Sequence, residues 1–369
     1  MSTATLEVTE IRGTARECGE AYGEAFEPLM MGFCQQEVAP DDPRLAYAKR
    51  CWFHIERDAP LSAEFMRGMA AGSHLSLEHV ALLTLHEEVA HMAHCTAFAA
   101  AGQATLEGNT IIGQNWDWPP SIYPWVGFLR TICEESPNTL TYNMPGLWAC
   151  AGINDAGLAL MWTTTGLFPP VPPEVGVPTY VMVAEILRRK KVDEAIDYVN
   201  SAKLAGTFNF FVGDAQGSVA VIEAIPGYVA VERSESMSRA NHFADDAPIA
   251  LTRQSVGDDV LETWATMYRS ERMADLLRQH HGSITPEVAR DMLLDRDGEW
   301  PWLHQYPAGA DAVSLKAMTL DSFFAVCEER TLITCRGGRE PGPWQALSIR
   351  VDPAALAGAD DVGGEGDRG

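Results

Sequence analysis

Two groups of residues with chemical potential lie close together near residue 90. His86, Glu87 and His91 in HEEVAH have the residue types of a zinc-binding helix. Such a site needs its histidines at i and i+4 on one face, whereas i and i+5 stand about 140° apart at 3.6 residues per turn. His91 and His94 at i,i+3 share a face but bring no third ligand. Helix-surface or capping histidines are the better reading, and no metal is expected. Just beyond, Cys95 opens the stretch CTAFAAAGQATLEGNTIIGQNWDW. A lone thiol is usually a small buried apolar side chain. This one stands where helical patterning gives way to β patterning, a place that can display a nucleophile at the mouth of a sheet. The other seven of the eight cysteines are scattered without paired zinc-type spacing, in a chain too long to depend on disulfide staples. Reduced thiols are expected.

The elements that must position Cys95 are legible as texture. Over the first 94 residues apolar side chains recur at three and four, as in RECGEAYGEAFEPLMMGFCQQEV, and again from an N-cap Ser76 to His94. From about Thr96 short β-rich runs alternate with turn residues. ATLEGNTIIGQNWDW, ACAGINDAGLALMWTTT, NFFVGDAQGSVAVIEA and FFAVCEERTLITC each read as a hairpin. Their apolar runs predict antiparallel sheet buried on both faces. Helices return at 179–191, at 192–203 and in 261–281, so helices and hairpins interleave and sheets covered by helical layers are expected. LFPPVPPEVGVP has five prolines in twelve residues and is predicted to be a stiff surface loop. The tail AGADDVGGEGDRG has almost nothing to bury and is predicted to be disordered.

Composition excludes several functions. Against 27 Lys and Arg stand 51 Asp and Glu, and the formal charge of −24 over 369 residues repels phosphate backbones and anionic membrane surfaces. Nucleic-acid binding is not expected. The N-terminus is polar, and the longest apolar runs fall far short of the roughly 20 residues of a spanning helix. A cytoplasmic protein without membrane partners is the expectation.

Four segments, in order, carry a resemblance: Cys95-Thr96-Ala97, Gly113-Gln114-Asn115-Trp116-Asp117, Gly213 to Gly217 followed by Glu223, and Asn241-His242-Phe243. With them the sequence resembles the isopenicillin-N acyltransferase-like family of N-terminal-nucleophile (Ntn) cysteine hydrolases, whose members include acyl-CoA:6-aminopenicillanic acid acyltransferase-like amidases and acyltransferases. The resemblance implies an α+β fold, a four-layer αββα sandwich of the Ntn-hydrolase type. It also implies self-cleavage at the His94-Cys95 bond. Residues 1–94 would then form a helical segment that stays attached non-covalently, 95–356 the catalytic region and 357–369 the acidic tail. A smaller or acidic residue is more usual at the position of His94, but an N-to-S acyl shift uses only its carbonyl.

Cleavage would give Cys95 a free α-amine with a reference pKa of about 7.7–8.0, close enough to neutrality to take the thiol proton. One residue would then supply nucleophile and base, without the histidine of a papain-type pair. By the resemblance, Asn241 donates to the oxyanion, Asp117 holds the new ammonium or the thiol network, and Asn115 is a weaker candidate for orienting that network. On residue type alone, Asn241 and Asp117 would be a turn asparagine and a strand-end carboxylate. The implied reaction is acyl transfer through a Cys95 thioester, without cofactor. Hydrolysis of a linear amide of a small N-acyl amine or amino-acid conjugate comes first, and transfer of an acyl group from acyl-CoA or an amide to an amine second. A non-catalytic binding member of the fold is the rival. A homo-oligomer is compatible with the sequence.

Overall fold

The structure is a computed structural model, which describes residues 8–90, 94–165, 173–247, 249–250, 265–297, 302–306 and 318–349. Much of the proline-rich loop (166–172) and the acidic tail (357–369) lie outside them. Residues 8–90 are helical after one strand. Strand β1 (Val8–Gly13) leads into α1 (Ala15–Glu37), whose start is fixed by a capping box: Thr14 Oγ1 accepts from Glu17 N, and Glu17 accepts from Thr14 N at 2.8 Å. Helices α2 (Pro43–Asp58), α3 (Pro60–Ser73), α4 (Leu77–Thr84) and α5 (His86–Ala90) follow. The expected helix over Ser76–His94 is capped by Ser76 but breaks at Leu85, and His94 already belongs to a strand. Strand β1 carries no sequence signal of its own, being only half-buried at a sheet edge.

Helices α1 and α3 meet at glycines. Gly19 and Gly23 on α1 face Gly68 and Gly72 on α3. A Cβ at Gly19 would overlap the carbonyl of Phe65, and one at Gly68 that of Arg16. Only glycine lets these two backbones touch.

Two sheets lie between the helices. The first has eight strands in the order β1, β4 (Gly127–Cys133), β5 (Thr139–Met144), β6 (Leu147–Asn154), β7 (Ala159–Thr164), β8 (Phe208–Gly213), β9 (Val219–Ile225), β10 (Tyr228–Glu232). It is antiparallel except where β1 runs parallel to β4. The second has six strands in the order β11 (Ser236–Arg239), β2 (His94–Ala100), β3 (Ile111–Trp118), β12 (Met318–Val326), β13 (Thr331–Arg336), β14 (Gln345–Ser348), all antiparallel. The hairpins expected from ACAGINDAGLALMWTTT, NFFVGDAQGSVAVIEA and FFAVCEERTLITC are β6/β7, β8/β9 and β12/β13. In the fourth, the partner of β3 is β2 rather than ATLE, so the connection is longer than the turn residues suggest.

The sheets stack through aromatic side chains: Trp116 of β3 contacts Trp162 of β7 and Tyr142 of β5. Every residue of β3, β6, β7, β8 and β9 is buried, as sheets covered on both faces require. Helices α1, α6 (Thr179–Ile186) and α7 (Val192–Ser201) cover the first sheet, and Phe65 of α3 stacks on Trp148 of β6. Helices α8 (Ala265–Gln279) and α9 (Pro286–Leu293) cover the second. The layers run α, β, β, α, the sandwich expected.

Candidate active site

Cys95 is the second residue of β2, opposite Trp116, and is 2% exposed. Side chains alternate along a strand. Cys95, Ala97 and Ala99 therefore face the inter-sheet core, while Phe98 and Ala100 face the helices on the other side. Burial and the nearby Asp117 carboxylate push the thiol's pKa up, and the Asp117 N–H and the Gln114 side chain oppose them. In the unbroken chain the sulfur is held as a thiol with donors already beside it.

The backbone of Cys95 is gripped as firmly as its side chain. Its N–H donates to Asn241 Oδ1 at 3.1 Å, and its carbonyl accepts from Arg269 Nη1. Arg269, on α8 and 1% exposed at its side chain, also donates to Thr96 Oγ1 at 2.8 Å and to Asn241 Oδ1 at 2.7 Å. Asn241 Nδ2 donates to the Thr164 carbonyl at 2.9 Å. Arg269 can only donate and that carbonyl can only accept, so the orientation of the Asn241 amide is fixed by its neighbours.

Asp117, two residues beyond Asn115 on the same face of β3, accepts from Thr319 Oγ1 at 2.6 Å through Oδ1. Its Oδ2 lies 4.0 Å from Arg269 Nη1. Burial raises the Asp117 carboxyl to about 7 against the pull of Arg269 and Thr319. It therefore shares Arg269 with Asn241, and strand pairing sets it across from His94.

Cys95, Asp117 and Asn241 thus converge, and His94 backs onto them as the first residue of β2. Asn115 stands apart. Its Nδ2 donates to the carbonyls of Leu293 and Leu303, both at 2.8 Å, so it ties the segment after α9 to the sheet instead of orienting the Cys95 network. Asn115 and Asp117 both lie on the face of β3 away from the thiol; Asp117 reaches Cys95 through its own N–H and through Arg269, whereas the Asn115 amide is spent on Leu293 and Leu303.

Several residues here escape sequence reasoning. Arg269 sits in ATMYRSERMADLL, an ordinary amphipathic pattern in which nothing distinguishes it from Arg272. Glu87 and Glu88 stand out in the sequence only as part of a metal-like motif. Burial raises both carboxyls to about 7. Glu87 accepts from Tyr180 Oη at 2.9 Å, and Glu88 accepts from Thr179 N at 2.8 Å and Thr179 Oγ1 at 2.7 Å. Glu87 is near enough to Cys95 to add to the rise in the thiol's pKa. His86 lies instead against Trp118, ring centroids 5.1 Å apart, and His91 lies outside the described residues. Among the described residues no cluster of His, Cys, Asp and Glu has the geometry to hold a metal ion.

Two stacked sheets between helical layers, with the family match that follows, make the chain an enzyme of the N-terminal-nucleophile hydrolase and acyltransferase type. The chain belongs to the acyl-coenzyme A:6-aminopenicillanic acid acyl-transferase family, whose model matches residues 105–321, more than half of it. No curated protein matches the sequence. Among solved structures, a mutant of conjugated bile acid hydrolase from Clostridium perfringens is 14% identical over 69% of this chain and 92% of that one, with a TM-score of 0.48. Penicillin V acylase from Agrobacterium tumefaciens is 13% identical over 69% of this chain and 86% of its own, with a TM-score of 0.45. No helix among the described residues is long and apolar enough to cross a membrane.

Proposed function

We propose that the protein is a self-processed N-terminal-cysteine amidohydrolase that cleaves a linear amide of a small N-acyl amine or amino-acid conjugate through a thioester on Cys95. The observation that carries this reading is the hydrogen bond from the Cys95 nitrogen to Asn241 Oδ1. Strand β11 pairs with β2 only over Ala97–Ala100, and just beyond it the Cys95 nitrogen is received by the Asn241 side chain, an acceptor that would suit a free amine equally well.

Maturation begins with attack of Cys95 Sγ on the His94 carbonyl carbon. The Cys95 nitrogen leaves that carbon and takes a proton, giving a thioester. Water then cleaves the thioester, leaving a carboxylate on His94 and a free thiol and α-amine on Cys95. Arg269 on the Cys95 carbonyl and Asn241 on its nitrogen hold the residue still while its bond to His94 exchanges. In turnover the same sulfur attacks the substrate carbonyl, and the amine accepts the thiol proton and passes it to the leaving amine. A second amide N–H on Asn241, beyond the one given to Thr164, is the proposed donor to the oxyanion. Asp117, beside Arg269, steadies the charge that appears on the amine.

Acyl transfer, with an amine in place of water and acyl-CoA or an amide as donor, is the second reading, favoured by the description of the family the chain belongs to. The test is a panel of N-acyl amines and N-acyl amino acids offered with and without a competing amine, with acid quenching and peptide mapping. Acylation of Cys95 and release of the free acid support hydrolysis. A new amide formed at the expense of the acid supports transfer, and turnover retained by Cys95→Ala overturns both.

A further inference from the structure

Cys133 ends β4 and lines a small cleft between the first sheet and the helices that cover it. Ser136, Thr139, Trp148 and Arg188 also line it. Cys18, in the first turns of α1, neighbours Cys133, its thiol donating to the carbonyl of Ile132, the residue before Cys133. The strands enforce this approach. Gly13 of β1 pairs with Cys133, and Cys18 Sγ lies 3.5 Å from the Gly13 carbonyl and 3.8 Å from that of Ile132. The loop beyond β4 is clipped to the start of α1 twice, by Glu134 N on the Gly13 carbonyl at 3.0 Å and by Ala15 N on Glu135 Oε2 at 2.7 Å.

The two thiols are unequal. The neighbouring Cys133 thiol and burial raise the pKa of Cys18. The Cys18 thiol, Ser136, the Glu135 N–H and the Arg188 charge pull the Cys133 thiol down to about 5 against the cost of burial. Arg188 is itself tied to Ser136 Oγ at 2.8 Å. A thiolate at a cleft with a second thiol against it is the arrangement of a peroxide-oxidised cysteine with its resolving partner.

We infer that Cys133 and Cys18 form a peroxide-responsive dithiol whose disulfide joins the N-terminal segment to the catalytic region. The Cys133 sulfur attacks one oxygen of hydrogen peroxide, the O–O bond breaks, and the other oxygen leaves and is protonated to water. Cys18 sulfur then attacks the Cys133 sulfenic acid. The S–O bond breaks, and the departing hydroxide takes the Cys18 proton as a second water. The two sulfurs together lose two electrons and the peroxide gains them. The pairing does not depend on self-cleavage; its consequence does, since in a chain cut at His94-Cys95 the disulfide would be a covalent link between fragments that otherwise associate without one.

Purified wild type is treated with hydrogen peroxide, free thiols are alkylated, and the protein is digested without reductant and mapped. A Cys18–Cys133 cross-linked peptide, lighter by two hydrogens than the sum of its parts, is the expected product. Dimedone should label Cys133 in peroxide-treated Cys18→Ser, and should label neither position in Cys133→Ser. Non-reducing gels of cleaved protein should show the fragments joined after peroxide and separate after reductant. Oxidation confined to other thiols, with the Cys18 and Cys133 peptides of wild type still alkylated, overturns the inference. An uncleaved chain that still yields the cross-linked peptide sustains the dithiol and counts against maturation alone.

Discussion

Asn241 offers one carbonyl oxygen and two amide hydrogens, and the uncleaved chain occupies them unequally. The oxygen receives both the Cys95 nitrogen and Arg269, while one hydrogen is given to Thr164. A group whose remaining donor serves an oxyanion acts in the transition state more than in substrate binding. Asn241→Ala, checked first to be cleaved, should therefore lower kcat by about 10²–10³ with KM little changed. Asn241→Asp keeps the oxygen facing the amine but loses the donor, and should do no better than alanine. An aspartate variant near wild-type kcat would assign the work to the oxygen. Arg269 is the residue the sequence conceals. Its importance arises from a distance of 174 positions to Cys95, and no local pattern encodes a guanidinium that reaches across a helix-to-sheet interface. Arg269→Lys keeps the charge but cannot hold Cys95, Thr96 and Asn241 together with a single ammonium. We expect slowed self-cleavage, measured as the fraction of full-length chain against time after expression; cleavage at the wild-type rate would reduce Arg269 to a charge partner of Asp117.

The hairpins are legible because a hairpin is local: Asn154 to Gly157 between two apolar runs sets both strands and their register within a dozen residues. Strand β1 and the separation of β2 from ATLE are not, since a parallel edge pairing and a ten-residue connection depend on distant partners. The α1–α3 crossing occupies a middle position. Its glycines are visible at i,i+4 in both helices, yet nothing in either helix alone says that they face each other. Gly19→Ala places a methyl against the Phe65 carbonyl, and overpacking of this kind costs about 1–3 kcal/mol. Denaturant melts should show that loss, whereas Gly32→Ala, with open space around its Cβ, should gain slightly in helix stability. Equal effects at the two positions would mean that the helices do not approach as closely as described.

Across the whole molecule, buried acids link stability to pH. Glu87 and Glu88 are raised from 4.5 to about 7 by burial. Their protons are held more tightly in the folded chain than in the unfolded one. The stability they contribute is complete below pH 4.5 and is lost as pH rises through about 7. Tm should fall across that window, and Glu88→Gln, which keeps an acceptor for Thr179, should flatten the fall; an unchanged slope would show that Glu88 titrates normally.

The same layering bears on maturation. Residues 8–90 supply strand β1 to the first sheet and part of the helical layer that covers it. A cut at residue 94 would leave two pieces sharing one core, still together in native buffer with reductant. The most direct test is intact-mass analysis and N-terminal sequencing of purified wild type beside Cys95→Ala. The wild type should give residues 1–94 and a larger fragment that begins Cys-Thr-Ala-Phe, and Cys95→Ala a single folded chain. A wild type that is full-length and active would contradict the account.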